Sequence, residues 1–423
     1  MKNSALFALG FAALVACHET DRSRPSTSSP GSPQATASAR VEPAPAREAF
    51  DGSPGGRRAN GSSGAKASAI DRAAFSRLFR ELSEPDRYFF SDNFVSNETS
   101  YLQVLPLLRK KAMKGGAYIG VGPEQNFTYL ALIDPEIAFI VDIRRQNALQ
   151  HLLYKAIFEE ARTRAEFLAL LTGAPYDPAE DARERASVAE LLKTAETAWK
   201  KRDAAKFRSL HARLLERIRV DYAIDLGKRD LESLEHVHRA FFSQGLALKF
   251  ELHNPDNPRD YPAFAELLLM TDPEGQLGSF LASEPVFRLV KRLEQENRIV
   301  PVVGDFAGDH ALKGIARELV ARDLPVSVFY VSNVEQYLMK PPKWQAWVEN
   351  VESLPSNESS LFLRAYLDQG RRHPRQLKGH RTASVLQLFD HFRWRQRSRS
   401  YQGFWQLVTE GLLDEPNDAG SAR

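Results

Sequence analysis

Apolar positions follow three regimes along the chain. The first is a short continuous run, residues 5–16 (ALFALGFAALVA), preceded by Lys2. A bilayer-spanning helix needs roughly 20 apolar residues, so this run is too short to stay in a membrane. Its basic start and small-residue end have the layout of a cleavable export signal over residues 1–16. The second regime, residues 17–68, is nearly empty of large apolar residues: Val41 and Phe50 stand alone among Ser, Pro, Gly and Ala. Such a segment cannot bury enough apolar surface to offset its ordering entropy, and it predicts a disordered tether. A tether of that length spans on the order of 40 Å.

The third regime is periodic and predicts one folded domain over residues 69–415, with a disordered tail at 416–423. Helical spacing begins at Phe75, Leu78, Phe79 and Leu82. Two stretches then alternate strands with helices. The first predicts a strand at 116–121, a helix near 124–132, a strand at 137–143 and one long helix near 147–171. The second predicts a strand at 299–303, a helix near 310–321, a strand at 326–331, a helix near 343–351 and a strand at 361–367. This alternation predicts an α/β fold: a Rossmann-like, mainly parallel sheet with helices on both faces. A long helical insertion, about 172–298, separates the second and third strands, with one strand near 246–252 inside it. It shows helical spacing at Phe207, Leu210, Leu214 and Ile218, and again at Leu231, Leu234, Val237 and Phe241.

Composition changes this picture in two places. The balance of 57 basic and 54 acidic residues, net +3, gives no argument for nucleic acid or for an anionic surface. Cys17 is the single cysteine, which rules out an internal disulfide and a cysteine-based metal cluster. Leu14-Val15-Ala16-Cys17 resembles the bacterial lipobox. That resemblance implies acylation of Cys17 and a membrane anchor in the cell envelope; His18 in place of Asp favours the outer membrane of a Gram-negative cell. An ordinary secreted protein with a chance cysteine is the alternative.

Candidate chemistry centres on Gly120-Val121-Gly122-Pro123-Glu124-Gln125-Asn126, between a predicted strand and helix, with Asp142 twenty residues past Gly122 at the end of the next strand. Glycines at such a turn let backbone approach a ligand at a helix N-terminus, and the distal acid can accept from ribose hydroxyls. These residues resemble the core of class I S-adenosylmethionine-dependent methyltransferases. The resemblance implies that Gly120, Gly122, Glu124 and Asn126 line the cofactor, Asp142 holds its ribose, and Asp305, in Gly304-Asp305-Phe306, sits near adenine. It also places Ser332, Asn333 and Glu335 as catalytic or substrate-facing groups after the fourth strand. Asp92, Asn93 and Asn97 are substrate-facing candidates on separate grounds, since polar residues this dense beside Phe89, Phe90 and Phe94 are expensive to bury without a partner or ligand. Two positions depart from that pattern: Tyr118 stands near the usual acid of the first strand, and Glu124 to Asn126 occupy the place of a third small residue. The segments 91–98, 141–147 and 329–335, with the glycine loop, also resemble an uncharacterised bacterial domain family.

Each residue has a plainer reading. Asp142 can cap the following helix, Ser332 with Glu335 has capping-box spacing, and Asn97 with Glu98 can open the helix carrying Tyr101 and Leu105. Asp305 can be a turn residue. His236 and His238 point to different helix faces, and no spacing predicts a metal site. The basic stretch beyond His373 reads as a solvated surface. Two functions stay open: an S-adenosylmethionine-binding, methyltransferase-like domain with unknown acceptor, or a non-catalytic envelope lipoprotein whose degenerate scaffold binds a ligand or protein partner. An exported anchor and a cytoplasmic cofactor pull against each other.

Overall fold

A computed structural model describes residues 69–178, 186–253, 260–368 and 370–413. The signal segment, Cys17, the tether and the tail from 416 lie outside the described residues.

Six short apolar segments build the main sheet: β2 (Ala117–Gly120), β3 (Ile137–Asp142), β5 (Ile299–Val303), β6 (Val326–Ser332), β7 (Leu361–Leu367) and β8 (Thr382–Leu388). The first three are buried along their whole length, as strands covered on both faces must be. Their order is β5-β3-β2-β6-β7-β8, parallel except for β8, which runs antiparallel to β7. This is the Rossmann-type order, with the reversal of direction between β2 and β6. Pro301 sits in β5, an edge strand, where a missing N–H costs least. Right-handed crossovers put α3 (Gln125–Ile133) and α4 (Arg145–Glu160) on one face and α11 (Ala311–Ala321) and α12 (Lys343–Ser353) on the other.

Between β3 and β5 the chain adds a helical layer: α5 (Arg164–Thr172), α6 (Val188–Trp199), α7 (Ala204–Glu216), α8 (Lys228–Gln244), α9 (Phe264–Leu269) and α10 (Glu284–Gln295). It packs mainly on α4, and twelve of the sixteen residues of α4 are buried in consequence. Ahead of the sheet come α1 (Arg72–Leu82), capped by Asp71, and α2 (Leu105–Lys111). After it come α13 (Phe389–Ser398) and α14 (Phe404–Thr409).

Five local expectations change. The single helix near 147–171 is two: Ala161 turns extended after α4, and the Thr163 hydroxyl accepts from Glu166 N–H to start α5. The strand near 246–252 shrinks to β4 (Glu251–Leu252), preceded by a 3₁₀ turn at Gly245–Ala247. Among the described residues β4 pairs only with β1 (Ser91–Asp92). Asn97 and Glu98 open no helix, since turns occupy 99–104 and α2 begins at Leu105. Ser332 and Glu335 form no capping box: their side chains bond elsewhere, and a 3₁₀ turn (Val334–Tyr337) follows. The basic stretch beyond His373 keeps Arg375, Lys378, Arg381, Arg397 and Arg399 exposed, as a solvated surface does, but it also holds β8, α13 and α14, whose apolar sides complete the core.

Candidate functional site

In open α/β sheets ligands bind outside the carboxyl ends of the strands, where strand order reverses. Here that edge is crossed by the chain's own segment 84–104. Glu84 N–H donates to Val303 O at the end of β5 (2.8 Å) and Arg87 N–H to Ile143 O after β3 (3.0 Å). Ser96 N–H reaches Glu124 Oε1 after β2 (3.1 Å). Farther on, Ser100 N–H donates to Thr382 Oγ1 at the start of β8 (2.9 Å).

At β2 the loop from Gly120 to Asn126 is fully buried. Asn126 Nδ2 donates to the carbonyls of Val121 (3.0 Å), Gly122 (3.1 Å) and Pro123 (2.8 Å), and Asn126 Oδ1 accepts from Tyr118 OH (2.8 Å). A Cβ on Gly120 would lie 2.0 Å from Asn126 Oδ1. Glycine is therefore required by the asparagine that holds the loop. Tyr118, the departure from the methyltransferase pattern, belongs to the same lock. Gly122 has φ +78°, with Asn93 Nδ2 3.6 Å from where its Cβ would stand.

At β3 the carboxylate of Asp142 is matched by Arg144 through Nε to Oδ1 (3.0 Å) and Nη2 to Oδ2 (2.9 Å), while Arg144 N–H also donates to Oδ1 (2.9 Å). The residue expected at ribose is thus buried and paired within its own turn. Asp305 is similarly held by Arg87 (2.8 Å) and by Ala307 N–H (2.9 Å).

Beside these pairs lies a set in which only Asn93 was expected from the sequence. His151 on α4 faces the glycine loop, its Nε2 bonding Gly122 O (2.9 Å), and Asn147 precedes it by one turn. Because that carbonyl only accepts, Nδ1 carries the bare lone pair. Burial holds the imidazole down at a pKa of about 4. His151 Nδ1, both amide atoms of Asn147, Asn93 Oδ1 and Ser91 Oγ are buried without a hydrogen-bond partner. Each such group costs about 1–3 kcal/mol if left unmade. Periodicity gave no clue to Asn147 or His151, since both lie where any helix face would be apolar.

At the switch point Ser332 has φ +51°, a strained position for a side-chain-bearing residue. Its hydroxyl donates to Glu98, which also accepts from Tyr330 OH (2.8 Å) and Gln125 Nε2 (3.0 Å). Burial raises the pKa of Glu98 against those three donors. Burial also lifts Glu124 to about 7, and its Oε2 has no partner beside a cavity of about 10 Å³ lined by Ser96, Tyr101 and Thr128. That space holds about one water. Asn333 lies next to Ser332, half-buried, and bonds Tyr337. Glu335 is elsewhere in role: fully buried, it is forked by Arg364 and accepts from Trp347 Nε1 (3.0 Å). Asn97 is half-buried on the crossing segment.

Asp92 meets His236 Nε2 of α8 (3.0 Å), His253 Nε2 (3.3 Å) and Gln146 Nε2 of α4 (3.4 Å). Among the described residues no group of three His, Cys, Asp or Glu is arranged to hold a metal ion, and no helix is long and apolar enough to cross a membrane.

Fold and edge define the class: a Rossmann-like α/β domain whose carboxyl edge carries a buried polar site. Within that class the chain belongs to the family described as a domain of unknown function (DUF7790), which matches residues 93–239 and 261–415. No curated protein matches it.

Proposed function

We propose that this protein is a binding module of the cell envelope, anchored through Cys17, that takes a small uncharged hydroxyl-bearing ligand at the carboxyl ends of β2 and β3 without catalysing its conversion. The observation that carries this is the set of unpaired buried atoms on His151 and Asn93, which meet Gly122, and on their neighbours Asn147, one turn before His151, and Ser91, two residues before Asn93. Buried polar groups are nearly always satisfied, by protein, water or ligand. The set is rich in acceptors, from Asn93, Asn147 and His151, and Asp142 is already neutralised by Arg144. Hydroxyl donors suit such a lining; phosphate or carboxylate does not.

Methyl transfer is the second reading, favoured by the strand order and by Gly120, Gly122 and Asp142 at their expected strand ends. Against it, Asp142 and Asp305 are each spoken for by an arginine and Asn126 fills the space beside Gly120. The residues as arranged do not fit S-adenosylmethionine.

Calorimetry on the full-length chain with S-adenosylmethionine, S-adenosylhomocysteine, adenosine and simple monosaccharides tests both readings. Binding of adenosine or a monosaccharide, lost in Asn147→Leu and without heat from either sulfur compound, is the expected result. S-adenosylmethionine binding lost in Asn147→Leu would install the methyltransferase reading, and no binding by any probe would remove the site. Incorporation of labelled palmitate, abolished by Cys17→Ser, tests the anchor.

A further inference from the structure

We propose that residues 84–93 form a flap over this site, hinged at both ends and latched through Asp92. The inference concerns regulation of the ligand site and rests on that reading for its purpose, although the flap itself is defined by the chain alone.

Both ends are fixed. At one, Ser83 Oγ accepts from Val303 N–H (3.1 Å) and Glu84 Oε1 from Ala311 N–H at the start of α11 (2.8 Å). At the other, Phe94 and Val95 are buried and Phe94 O accepts from Gln150 Nε2 (2.7 Å). Between them the chain lies outside the core: Asp86, Arg87, Tyr88 and Phe90 are exposed, Tyr88 by 78%. Its sheet pairing is the two-residue ribbon β1–β4, too short to be stable alone.

What holds the flap shut is two backbone bonds, Arg87 N–H to Ile143 O (3.0 Å) and His253 N–H to Phe90 O (2.8 Å), the packing of Phe89 and Phe90 on Tyr337, and a few polar contacts at its margins. Arg87 bonds Asp305 across a half-exposed boundary, and Arg144 Nη1 donates to Ser91 O (3.1 Å). Asp92 is the convergence point, since α8, the β4 segment and α4 all donate to its one carboxylate. The two imidazole contacts outweigh the cost of burying that carboxylate and hold its pKa below the usual range.

The unpaired atoms lie on both segments that meet here: Ser91 Oγ and Asn93 Oδ1 belong to the flap or its hinge, and those of Asn147 and His151 to α4, which carries Gln146 against Asp92 and His151 against Gly122. A permanently closed core would pair such groups across the contact. A surface that opens, admits a ligand and closes over it would leave them for the ligand.

Hydrogen exchange on the full-length chain, read by mass spectrometry, tests the flap without any ligand. In Asp92→Asn, exchange over 84–93 and 251–253 should rise about tenfold, with β3 and α4 unchanged. The His151 imidazole, followed by NMR on carbon-labelled histidine, should titrate upward from about 4 toward the ordinary range as solvent reaches it. Arg87→Ala, an exposed change at the other margin, should act in the same direction. Protection of 84–93 equal to that of β3 in wild type and in Arg87→Ala alike would overturn the flap. Exchange as expected with no probe bound would leave the flap standing and remove the ligand reading; probe binding with a protected 84–93 would do the reverse.

Discussion

Glu335 and Arg364 form an ion pair with no solvent contact on either side chain. The pair is braced by Trp347 Nε1 on the acid and Gln387 Oε1 on the base (2.9 Å). Removing one partner strands a charge in the core, so Arg364→Met should cost about 3–5 kcal/mol in urea unfolding. The paired change with Glu335→Leu should recover part of that loss. Gly120→Ala forces Asn126 out of its three carbonyl bonds and should cost about 1–3 kcal/mol by the same assay. Glu335 and Gly120 both stood out in the sequence; the structure adds the arginine that pairs with the first and the asparagine that packs against the second. Residue type reveals that a buried Glu needs a partner; it does not say whether the partner is a substrate or an arginine 29 positions away.

Among elements, α7 and α8 are tied by His211 and His238. His238 Nε2 donates to Leu170 O (3.1 Å), so its Nδ1 accepts from His211 (3.0 Å), and burial drives its pKa down to about 3. An unfolded histidine binds its proton near 6.5. The folded pKa is depressed, so the unfolded chain binds more protons below 6.5 and this pair's stabilisation is lost as pH falls from there toward 3. His238→Leu should therefore lower stability at pH 7 and remove part of the acid-side slope in urea midpoints measured from pH 7 to 4. The strands and helices of the sheet were legible because their apolar runs are short, continuous and bounded by turns. The break after α4 was not, because apolar spacing continues through it and Thr163 alone marks the cap. β8 was hidden beneath the arginines that precede and follow it.

At the scale of the molecule, opposing buried groups set the pH response. His151 and His238 have folded pKa values of about 4 and about 3 against 6.5. Glu124 and Glu294 have values of about 7 and about 8 against 4.5, both raised by burial. The carboxyls are the reverse case: the folded chain holds more protons between 4.5 and their folded values, so their contribution is complete below 4.5 and lost as pH rises through 7 to 8. Between about 4.5 and 6.5 the two slopes oppose each other. These four groups predict a stability plateau there, with decline on both sides. Urea midpoints across pH 4 to 9 check it, and Glu294→Gln, which removes an acid without hydrogen-bond partners, should flatten the alkaline decline.

The α/β alternation, five of the six strands of the main sheet and the placement of Gly120, Gly122, Asp142 and Ser332 at strand ends follow from the sequence, because strand and helix periods are local properties of the chain. Only the tertiary structure decided what those residues meet. Segment 84–104 crosses an edge that includes a strand 282 positions later, Arg87 neutralises Asp305 218 positions away, and His151 comes to bond the glycine loop. Pairings over such separations are settled by how elements pack, and no local pattern encodes them.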